Sequence, residues 1–310
     1  EYPRQMMLPQ SHAQMLDRFV DEPLEFEPGS EFRYSNSGYY LLGMIIESAS
    51  GVSYAEFLQQ EIFEPVGMKE TGYDRFGKVI KARARGYQMN GNEHVNAEYL
   101  DMSQPYAAGA LYSTVEDLGK WDAALRARKL ISKEGYEQMW SPEKNDYAYG
   151  WRVANTSGEV LQEHGGGING FATHFARLPD RKVCVAVFCN VLPSEPGRVA
   201  NDLLRIVRGE DVELPKKRKF VDVDTEVLKT YEGKYKLKQP PLTIEISLQD
   251  GHLVAQPEGQ PPAQLKPLSE TKFYVQVIDG EVTFVADNEG NITKLILKQN
   301  GREAEATRQP

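Results

Sequence analysis

The sequence predicts an α+β domain, an antiparallel sheet flanked by helices, followed by a small all-β barrel domain. Apolar residues recur at helical spacing within residues 28–65. Residues 148–190 consist of short runs of β-forming residues with short connections, which favour antiparallel neighbours. Residues 231–307 are almost wholly of β character.

The domain boundary is predicted from a change in composition. Residues 209–220, GEDVELPKKRKF, are charged, contain a proline and have no periodicity. We therefore predict a first domain at 1–210, a linker at 211–222 and a barrel domain at 223–310. The basic run in this stretch is interpreted as a solvated linker rather than a targeting or polyanion-binding signal.

Four helices are predicted from capping and stop signals. The first follows YSN at 34–36 and ends at Gly51; the second begins at Ser53, with Glu56 completing a capping box, and ends near Pro65. A third begins at Ser113 with the same Ser-x-x-Glu pattern. The fourth covers 196–208, where apolar residues share one face (Val199, Leu203, Ile206 and Val207) and Gly209 is the stop. Residues 68–112 are expected to form long loops around a cleft.

Strands of the first domain are predicted at YGWRVA, EVLQEH, FATHFARL and KVCVAVFC, separated by NTSG, GGGING and PDR. In the second domain, hairpin turns are predicted at Asp250-Gly251, Asp279-Gly280 and Asn300-Gly301. A meander of so many short strands has to close or cover its edges, which predicts a small barrel.

The composition is typical of a soluble globular protein, with 40% hydrophobic and 26% charged residues. The longest purely apolar run, at 183–189, is far too short to cross a bilayer. The formal net charge of −9 argues against nucleic acid and anionic membranes as partners. Cys184 and Cys189 are five positions apart in one predicted strand and face opposite ways, so we expect two buried thiols without a disulfide.

Two short stretches could carry chemistry. In Tyr34-Ser35-Asn36, the polar side chains could simply cap the helix that follows. In EHGGGINGF, 163–171, the glycines free the backbone to approach a ligand, and a strand edge there could offer N–H groups to an oxyanion. The alternative is a wide glycine-rich hairpin.

A metal site and a phosphate loop are not expected. The five histidines form no His-x-x-x-His pattern, and the cysteines form no Cys-x-x-Cys pair. His164 and His174 could meet across a hairpin, but one such pair is weak evidence for a metal. No helix with Lys-Ser/Thr follows the glycines, so we predict neither metal nor other cofactor.

Residues 28–74, followed in order by 107–121 and 164–190, resemble the serine β-lactamase-like family of class C β-lactamases, penicillin-binding D-Ala-D-Ala peptidases and related esterases. The resemblance covers about residues 28–208 and implies a β-lactamase/transpeptidase-like fold. The part from about residue 220 looks like the lipocalin-like β-barrel that some members carry.

The resemblance implies roles for individual residues. Tyr34 and Asn36 match the family's Tyr-x-Asn motif, as proton shuttle and as binder of the substrate amide. His164-Gly165-Gly166 matches the His-x-Gly variant of its third motif; His164 would supply positive charge, and Gly165 and Gly166 would line the substrate site. The N–H of Gly167 would form half of the oxyanion hole.

The family's nucleophile motif, Ser-x-x-Lys, is not found before Tyr34. Two later matches, Ser141–Lys144 and Ser269–Lys272, are no more than chance would give. We reject the first because it lies beyond the third helix and contains Pro142, and the second because it lies in the barrel domain. We expect the nucleophile segment upstream of Glu1 or on a partner chain, and this chain alone to be inactive.

Two functions are therefore considered. The first is part of a bacterial serine hydrolase that cleaves an ester, amide or peptide bond through an acyl-enzyme; β-lactamase or D-Ala-D-Ala carboxypeptidase activity is the narrower alternative. The second is a non-catalytic binding or regulatory protein on the same scaffold. Expected partners are a small-molecule or peptide acyl substrate and the missing segment or a partner chain that supplies it; oligomer formation stays open. The location stays open, with the periplasm or cell exterior favoured over the cytoplasm.

Overall fold

The computed structural model describes residues 5–91, 93–212, 218–237, 242–260, 262–299 and 302–309, and of Arg302 only the backbone. The chain divides into two compact units, 1–212 and 213–310, which are treated separately below. The first unit combines helices with antiparallel sheet and the second is a closed barrel, which confirms the predicted fold class.

Seven α-helices of the first unit have both ends among the described residues, and they are 3 to 15 residues long. They are His12–Leu16 (α1), Asn36–Ser50 (α2), Tyr54–Leu58 (α3), Glu64–Val66 (α4), Val115–Ala127 (α5), Lys133–Met139 (α6) and Pro196–Arg208 (α7). Helices α1 and α6 were not predicted. A π-helical turn, Gln59–Phe63, joins α3 to α4, so the second predicted helix continues to Val66.

Helix α2 begins and ends where the sequence predicts. Ser35 is its N-cap and accepts a hydrogen bond from the Gly38 N–H at 3.1 Å. Gly51 ends it in the left-handed conformation, with φ of +76°. Gly43 faces a 3-10 turn at Tyr106–Ala108, where an added Cβ would lie 2.5 Å from the Tyr106 ring.

The start of α5 is shifted by one residue from the prediction. Thr114, not Ser113, is the N-cap and accepts from the Asp117 N–H. The buried Asp117 carboxylate accepts from the Glu70 N–H, the Thr71 hydroxyl and Lys120. Burial alone would raise the pKa of Asp117, but these hydrogen bonds outweigh it and the pKa is lowered.

The sequence suggested that residues 68–112 are irregular throughout. The structure shows that this is only partly so. These residues contain four short strands, Gly72–Tyr73 (β1), Tyr87–Asn90 (β2), Glu93–Asn96 (β3) and Leu111–Tyr112 (β4). Strand β2 also pairs in parallel with Val191–Leu192 (β9), more than 90 residues later. Such long-range pairing leaves no signal in local composition.

The main sheet is antiparallel, as predicted, in the order of its strands along the chain. These are Arg152–Thr156 (β5), Glu159–Ile168 (β6), Phe171–Leu178 (β7) and Val183–Cys189 (β8). The prediction that GGGING connects two strands is wrong: Gly165–Gly167 belong to β6, and only Asn169-Gly170 forms the turn. Cys184 and Cys189 are free but half-buried, not fully buried as expected.

Helix α7 packs on this sheet through Ala200 and Leu204, and Gly209 ends it as predicted. Its predicted apolar stripe faces outward instead: Val199, Leu203, Ile206 and Val207 are all exposed.

We predict that Gly170→Ala destabilises the first unit by more than 2 kcal/mol, whereas Gly158→Ala costs about 1 kcal/mol. Both glycines have φ near +80°, which strains an alanine. Only at Gly170 would the new Cβ also meet backbone, at 2.6 Å from Gly86, while at Gly158 it meets nothing within 4 Å. Urea unfolding followed by tryptophan fluorescence measures both; equal losses would contradict the backbone clash.

The second unit is a closed antiparallel barrel of eight strands preceded by a helix, Thr225–Thr230 (α8). The strands are Gly233–Leu237 (β10), Leu242–Gln249 (β11), His252–Pro257 (β12), Ala263–Pro267 (β13), Lys272–Val275 (β14), Gly280–Ala286 (β15), Ile292–Gln299 (β16) and Arg302–Arg308 (β17). Aromatic side chains fill the interior; for example, the rings of Tyr231 and Phe284 stack at 4.2 Å.

The barrel hairpins follow the predicted turns only in part. Asp250-Gly251 is a two-residue turn with both φ angles positive, as predicted. At the second signal, Val275 pairs with Gly280, so the connection is Gln276–Asp279 and Gly280 already lies in β15; this prediction is wrong. The third, Asn300-Gly301, lies outside the described residues.

Candidate active site

Tyr34 and Asn36 lie on either side of the N-cap of helix α2. The Ser35 hydroxyl is used as the cap, which confirms the capping interpretation for that residue. Tyr34 is 44% exposed, and neither its hydroxyl nor the Asn36 carboxamide has a hydrogen-bond partner among the described residues. The cap therefore fixes the backbone while leaving the two flanking polar groups available.

His164 and the three glycines lie on β6 where its neighbour β5 has ended. The last β5 pair is Arg152 with Glu163, so residues 164–168 pair only with β7. Antiparallel hydrogen bonds alternate along a strand, and the tight turn places the residues at 164, 166 and 168 in the bonded pairs. The N–H groups of Gly165 and Gly167 consequently point toward the open edge.

A chain of hydrogen bonds leads from helix α2 to His164. The Tyr39 and Tyr147 hydroxyls are 2.8 Å apart, and Tyr147 Oη lies 2.9 Å from His164 Nε2. His164 Nδ1 lies 2.6 Å from the Gly165 carbonyl oxygen, which can only accept. In a neutral imidazole, Nδ1 therefore carries the proton, Tyr147 donates to Nε2, and Tyr39 donates to Tyr147.

The ring of Tyr34 packs beside the three side chains of this hydrogen-bonded chain. Its centroid lies 5.5 Å from Tyr39, 6.0 Å from His164 and 6.1 Å from Tyr147. The structure thus brings together Tyr34 and His164, which are 130 residues apart in sequence. Asn36 lies two residues further, at the first position of α2.

Burial raises the pKa of Tyr34, and neighbouring Tyr39 raises it further. The pKa of Tyr147 is also raised, mainly by burial and by its hydrogen bond to Tyr39. Within the described chain, Tyr34 is therefore a neutral phenol at neutral pH, and a phenolate would need an added positive charge.

The two rejected Ser-x-x-Lys matches are engaged elsewhere. The Ser141 hydroxyl donates to the Glu137 carbonyl at 2.9 Å, and Lys144 donates to the carbonyls of Gly29 and Ser30. In the second unit, Ser269 accepts from the Lys272 N–H. In neither match do the described contacts join the serine hydroxyl to the lysine ammonium group, in agreement with their rejection.

Tyr39 and Tyr147 were not identified from the sequence. Tyrosines are frequent in both segments, in SGYY and in DYAYG, but no spacing rule connects residues 108 positions apart. Their contact arises because the loop after α6 reaches the N-terminal end of α2.

His164 and His174 do not meet. His174 pairs in register with Gly165, so the two imidazoles emerge from opposite faces of the sheet. His174 Nε2 lies 3.1 Å from a Glu163 carboxylate oxygen instead. In the described ranges, no three His, Cys, Asp or Glu side chains are grouped to hold a metal ion.

The chain is similar to known proteins over most of its length. The beta-lactamase family model matches residues 2–209, and a model for a domain of unknown function (DUF3471) matches residues 217–308. Penicillin-binding protein 4* of Bacillus subtilis is 31% identical over 95% of this chain and 70% of its own length. The human serine beta-lactamase-like protein LACTB, mitochondrial, is 30% identical to this chain. The matched region covers 59% of this chain and 42% of the human protein.

Solved structures show the same fold. An octameric penicillin-binding protein homologue from Pyrococcus abyssi has a TM-score of 0.60 and 26% identity, covering 95% of this chain and 70% of its own. A penicillin-binding protein from Bacillus halodurans has a TM-score of 0.55 and 27% identity, covering 63% of this chain and 61% of its own. The family match over two thirds of the sequence and the shared fold show that the chain belongs to the beta-lactamase family.

Proposed function

We propose that the protein is a serine hydrolase that cleaves an ester, amide or peptide bond through an acyl-enzyme. The observation that carries the proposal is the approach of Tyr34 to His164, whose ring centroids are 6.0 Å apart, beside an open strand edge. A phenol, an imidazole and a free backbone N–H are the groups that acyl transfer requires around a serine.

Each of these groups has its own role in the proposed reaction. Tyr34, as phenolate, takes the proton of a serine hydroxyl while the serine oxygen bonds to the substrate carbonyl carbon. The carbonyl oxygen becomes negative and accepts a hydrogen bond from the Gly167 N–H. When the intermediate collapses, the bond to the leaving group breaks and Tyr34 returns the proton to that group. Water then attacks the acyl-serine by the same sequence of steps.

The other residues position the substrate and the base. Asn36 offers a carboxamide, which can both donate to and accept from a substrate amide. The absence of side chains at Gly165 and Gly166 lets the acyl group lie against the strand. The His164 ring, held by Tyr147, lies 6.0 Å from that of Tyr34, where an imidazolium would favour the phenolate form of Tyr34.

The serine and its lysine belong, in this proposal, to a segment of the full-length protein outside these 310 residues. Two features support it. No described serine–lysine pair adjoins Tyr34, and apolar residues of α2 and α7 are exposed where a further segment could cover them, among them Leu42, Ile45 and Ile206. Such a lysine would also supply the charge that lowers the raised pKa of Tyr34.

The substrate is proposed only as a class. Tyr147 places the segment 140–150 beside the site, and the penicillin-binding relatives make penicillin and D-Ala-D-Ala peptides the first compounds to test. A simple ester serves as a reference, because it needs little more than the oxyanion site and the nucleophile.

Labelling with a fluorophosphonate and with a fluorescent penicillin tests the proposal. We expect no covalent adduct on the 310-residue chain and one adduct per molecule on the chain extended upstream to include Ser-x-x-Lys. Adduct on the short chain would contradict the proposed source of the nucleophile. Absence of adduct on both would favour a non-catalytic binding or regulatory protein.

A further inference from the structure

A second cluster of polar and aromatic side chains lies at the other end of helix α2. A cavity of about 190 Å³ is lined by His12, Tyr40, Glu47, Tyr73, Arg75 and Tyr106 among others. We call it the tyrosine cavity. Glu47 is eleven residues beyond Asn36, which places it about 16 Å further along the helix at 1.5 Å per residue. The tyrosine cavity shares no lining residue with the candidate active site, although its Tyr40 directly follows Tyr39 on α2.

The centre of the tyrosine cavity is Tyr106. Its ring centroid lies 4.8 Å from those of His12 and Tyr40 and 6.2 Å from that of Tyr73. The residue has a φ of +44°, a conformation that non-glycine residues seldom adopt and that often accompanies function. Its side chain is 94% buried, because the residue is 6% exposed.

The Tyr106 hydroxyl has no hydrogen bond of normal geometry among the described residues. It lies near enough to Glu47 that the pKa of Tyr106 is raised, mainly by burial and then by that carboxylate. A buried hydroxyl without a partner is uncommon in a native protein, because leaving it unpaired costs about 1–3 kcal/mol. This hydroxyl is therefore a group that a ligand could satisfy.

Glu47 supplies the negative charge of the cavity. Its carboxylate accepts from the Tyr54 N–H at 2.8 Å and lies 3.2 Å from His12 Nε2. Burial alone would raise the pKa of Glu47, but these contacts and the Tyr106 hydroxyl outweigh burial, so the pKa is lowered and the group is ionised. His12 Nδ1 is in turn 2.8 Å from the Tyr40 hydroxyl, which orients the imidazole.

Arg75 supplies a positive charge to the same cavity. It is exposed, forms no ion pair within the described parts of the chain, and lies 5.7 Å from the centre of the Tyr73 ring. Glu47 and Arg75 thus line one cavity without pairing with each other. Aromatic rings line the same cavity, and the face of an aromatic ring attracts an ammonium group.

We propose that the tyrosine cavity binds a small zwitterion of the α-amino acid type, with its ammonium group at Glu47 and Tyr106 and its carboxylate at Arg75. Glu47 contacts His12 rather than Arg75, so the two opposite charges do not pair with each other and match those of an amino acid, while aromatic rings line the same cavity. The volume equals about six water molecules at ~30 Å³ each, which suits a ligand with about six non-hydrogen atoms, such as alanine.

Saturation-transfer NMR on the 310-residue chain tests this proposal. Both enantiomers of alanine are titrated, with ethylamine and propionate as ligands that each carry one of the two charges. We expect saturable binding of at least one enantiomer, and at least ~10-fold weaker binding of ethylamine and propionate, because each loses one charge-assisted contact. No saturable binding of alanine, or equal binding of ethylamine, overturns the zwitterion site.

Variants locate the binding. Glu47→Gln and Arg75→Gln should each weaken alanine binding by ~10-fold or more. The matched control Glu61→Gln changes an exposed carboxylate outside the cavity and should leave binding unchanged. If Glu47→Gln unfolds, Arg75→Gln still tests the site, because Arg75 is exposed and its replacement should leave the fold intact. If Arg75→Gln binds alanine as tightly as Glu61→Gln does, the assignment of the site is overturned. Tyr34→Phe should not alter binding, which keeps this result independent of the proposed hydrolase activity.

Discussion

Replacing Tyr34 by phenylalanine in the protein extended to include its nucleophile is expected to slow acylation by about 10²–10⁴-fold, the range for loss of a general acid–base group. In the proposed mechanism, the Tyr34 phenol carries the serine proton to the leaving group, so its loss removes that proton transfer. The substitution removes one oxygen and keeps the ring, so the contacts with Tyr39, Tyr147 and His164 remain.

The structure makes this variant easy to interpret. The Tyr34 hydroxyl has no hydrogen-bond partner in the described residues, so the thermal stability of the variant should stay within about 0.5 kcal/mol of that of the parent. The control is Tyr149→Phe, at a tyrosine that is 64% exposed. Stopped-flow measurement of acylation by an activated ester provides the rate. A Tyr34→Phe rate equal to that of Tyr149→Phe would exclude Tyr34 as the proton carrier.

The parts of the fold that follow from local chemistry were predictable. Ser35 and Gly51 fix the two ends of α2, and Ser53 with Glu56 forms the predicted capping box of α3. Each of these signals acts within four residues, through a hydrogen bond or a left-handed φ angle. Asp250-Gly251 is of the same kind, because both residues adopt the positive φ that the tight turn requires.

The glycine-rich stretch shows where local rules conflict. Three consecutive glycines suggested a loop, since glycine disfavours strands. Pairing with β7 overrides this preference, and the turn falls at Asn169-Gly170. The Asn-Gly pair was visible in the sequence and is a hairpin signal in its own right. Weighting it above the glycine run would have placed Gly165–Gly167 in a strand.

The hydrogen-bonded chain at the candidate site could not have been predicted in the same way. Tyr34, Asn36 and His164 came from resemblance to a family, whereas Tyr39 and Tyr147 meet only because distant segments converge. Their contact depends on the path of the loop after α6, which no local pattern determines. Long-range contacts of this kind are where a structure adds most to a sequence.

Asp122→Ala is expected to lower the free energy of unfolding of the first unit by about 3–5 kcal/mol. Arg177, only 2% exposed, donates to Asp122 at 2.8 Å and to the Gln162 side chain at 2.9 Å. The bond to Asp122 joins α5 to the sheet that carries His164, and the bond to Gln162 joins two strands of that sheet. Removing the carboxylate leaves a guanidinium buried without its counter-charge, and that desolvated charge accounts for most of the expected loss.

All three tryptophans lie in the first unit, at 121, 140 and 151, so fluorescence during urea unfolding reports this unit alone. The control is Glu137→Ala, which breaks an exposed pair with Lys133 and should cost at most about 0.5 kcal/mol.

The double variant Asp122→Ala/Arg177→Met distinguishes two causes of the lost stability, the buried unpaired charge of Arg177 and weaker packing between α5 and the sheet. If the stranded charge causes it, removing Arg177 as well should restore at least half of the stability that Asp122→Ala loses, because methionine is apolar and of similar length. If the double variant is no more stable than Asp122→Ala, the loss comes instead from packing between α5 and the sheet.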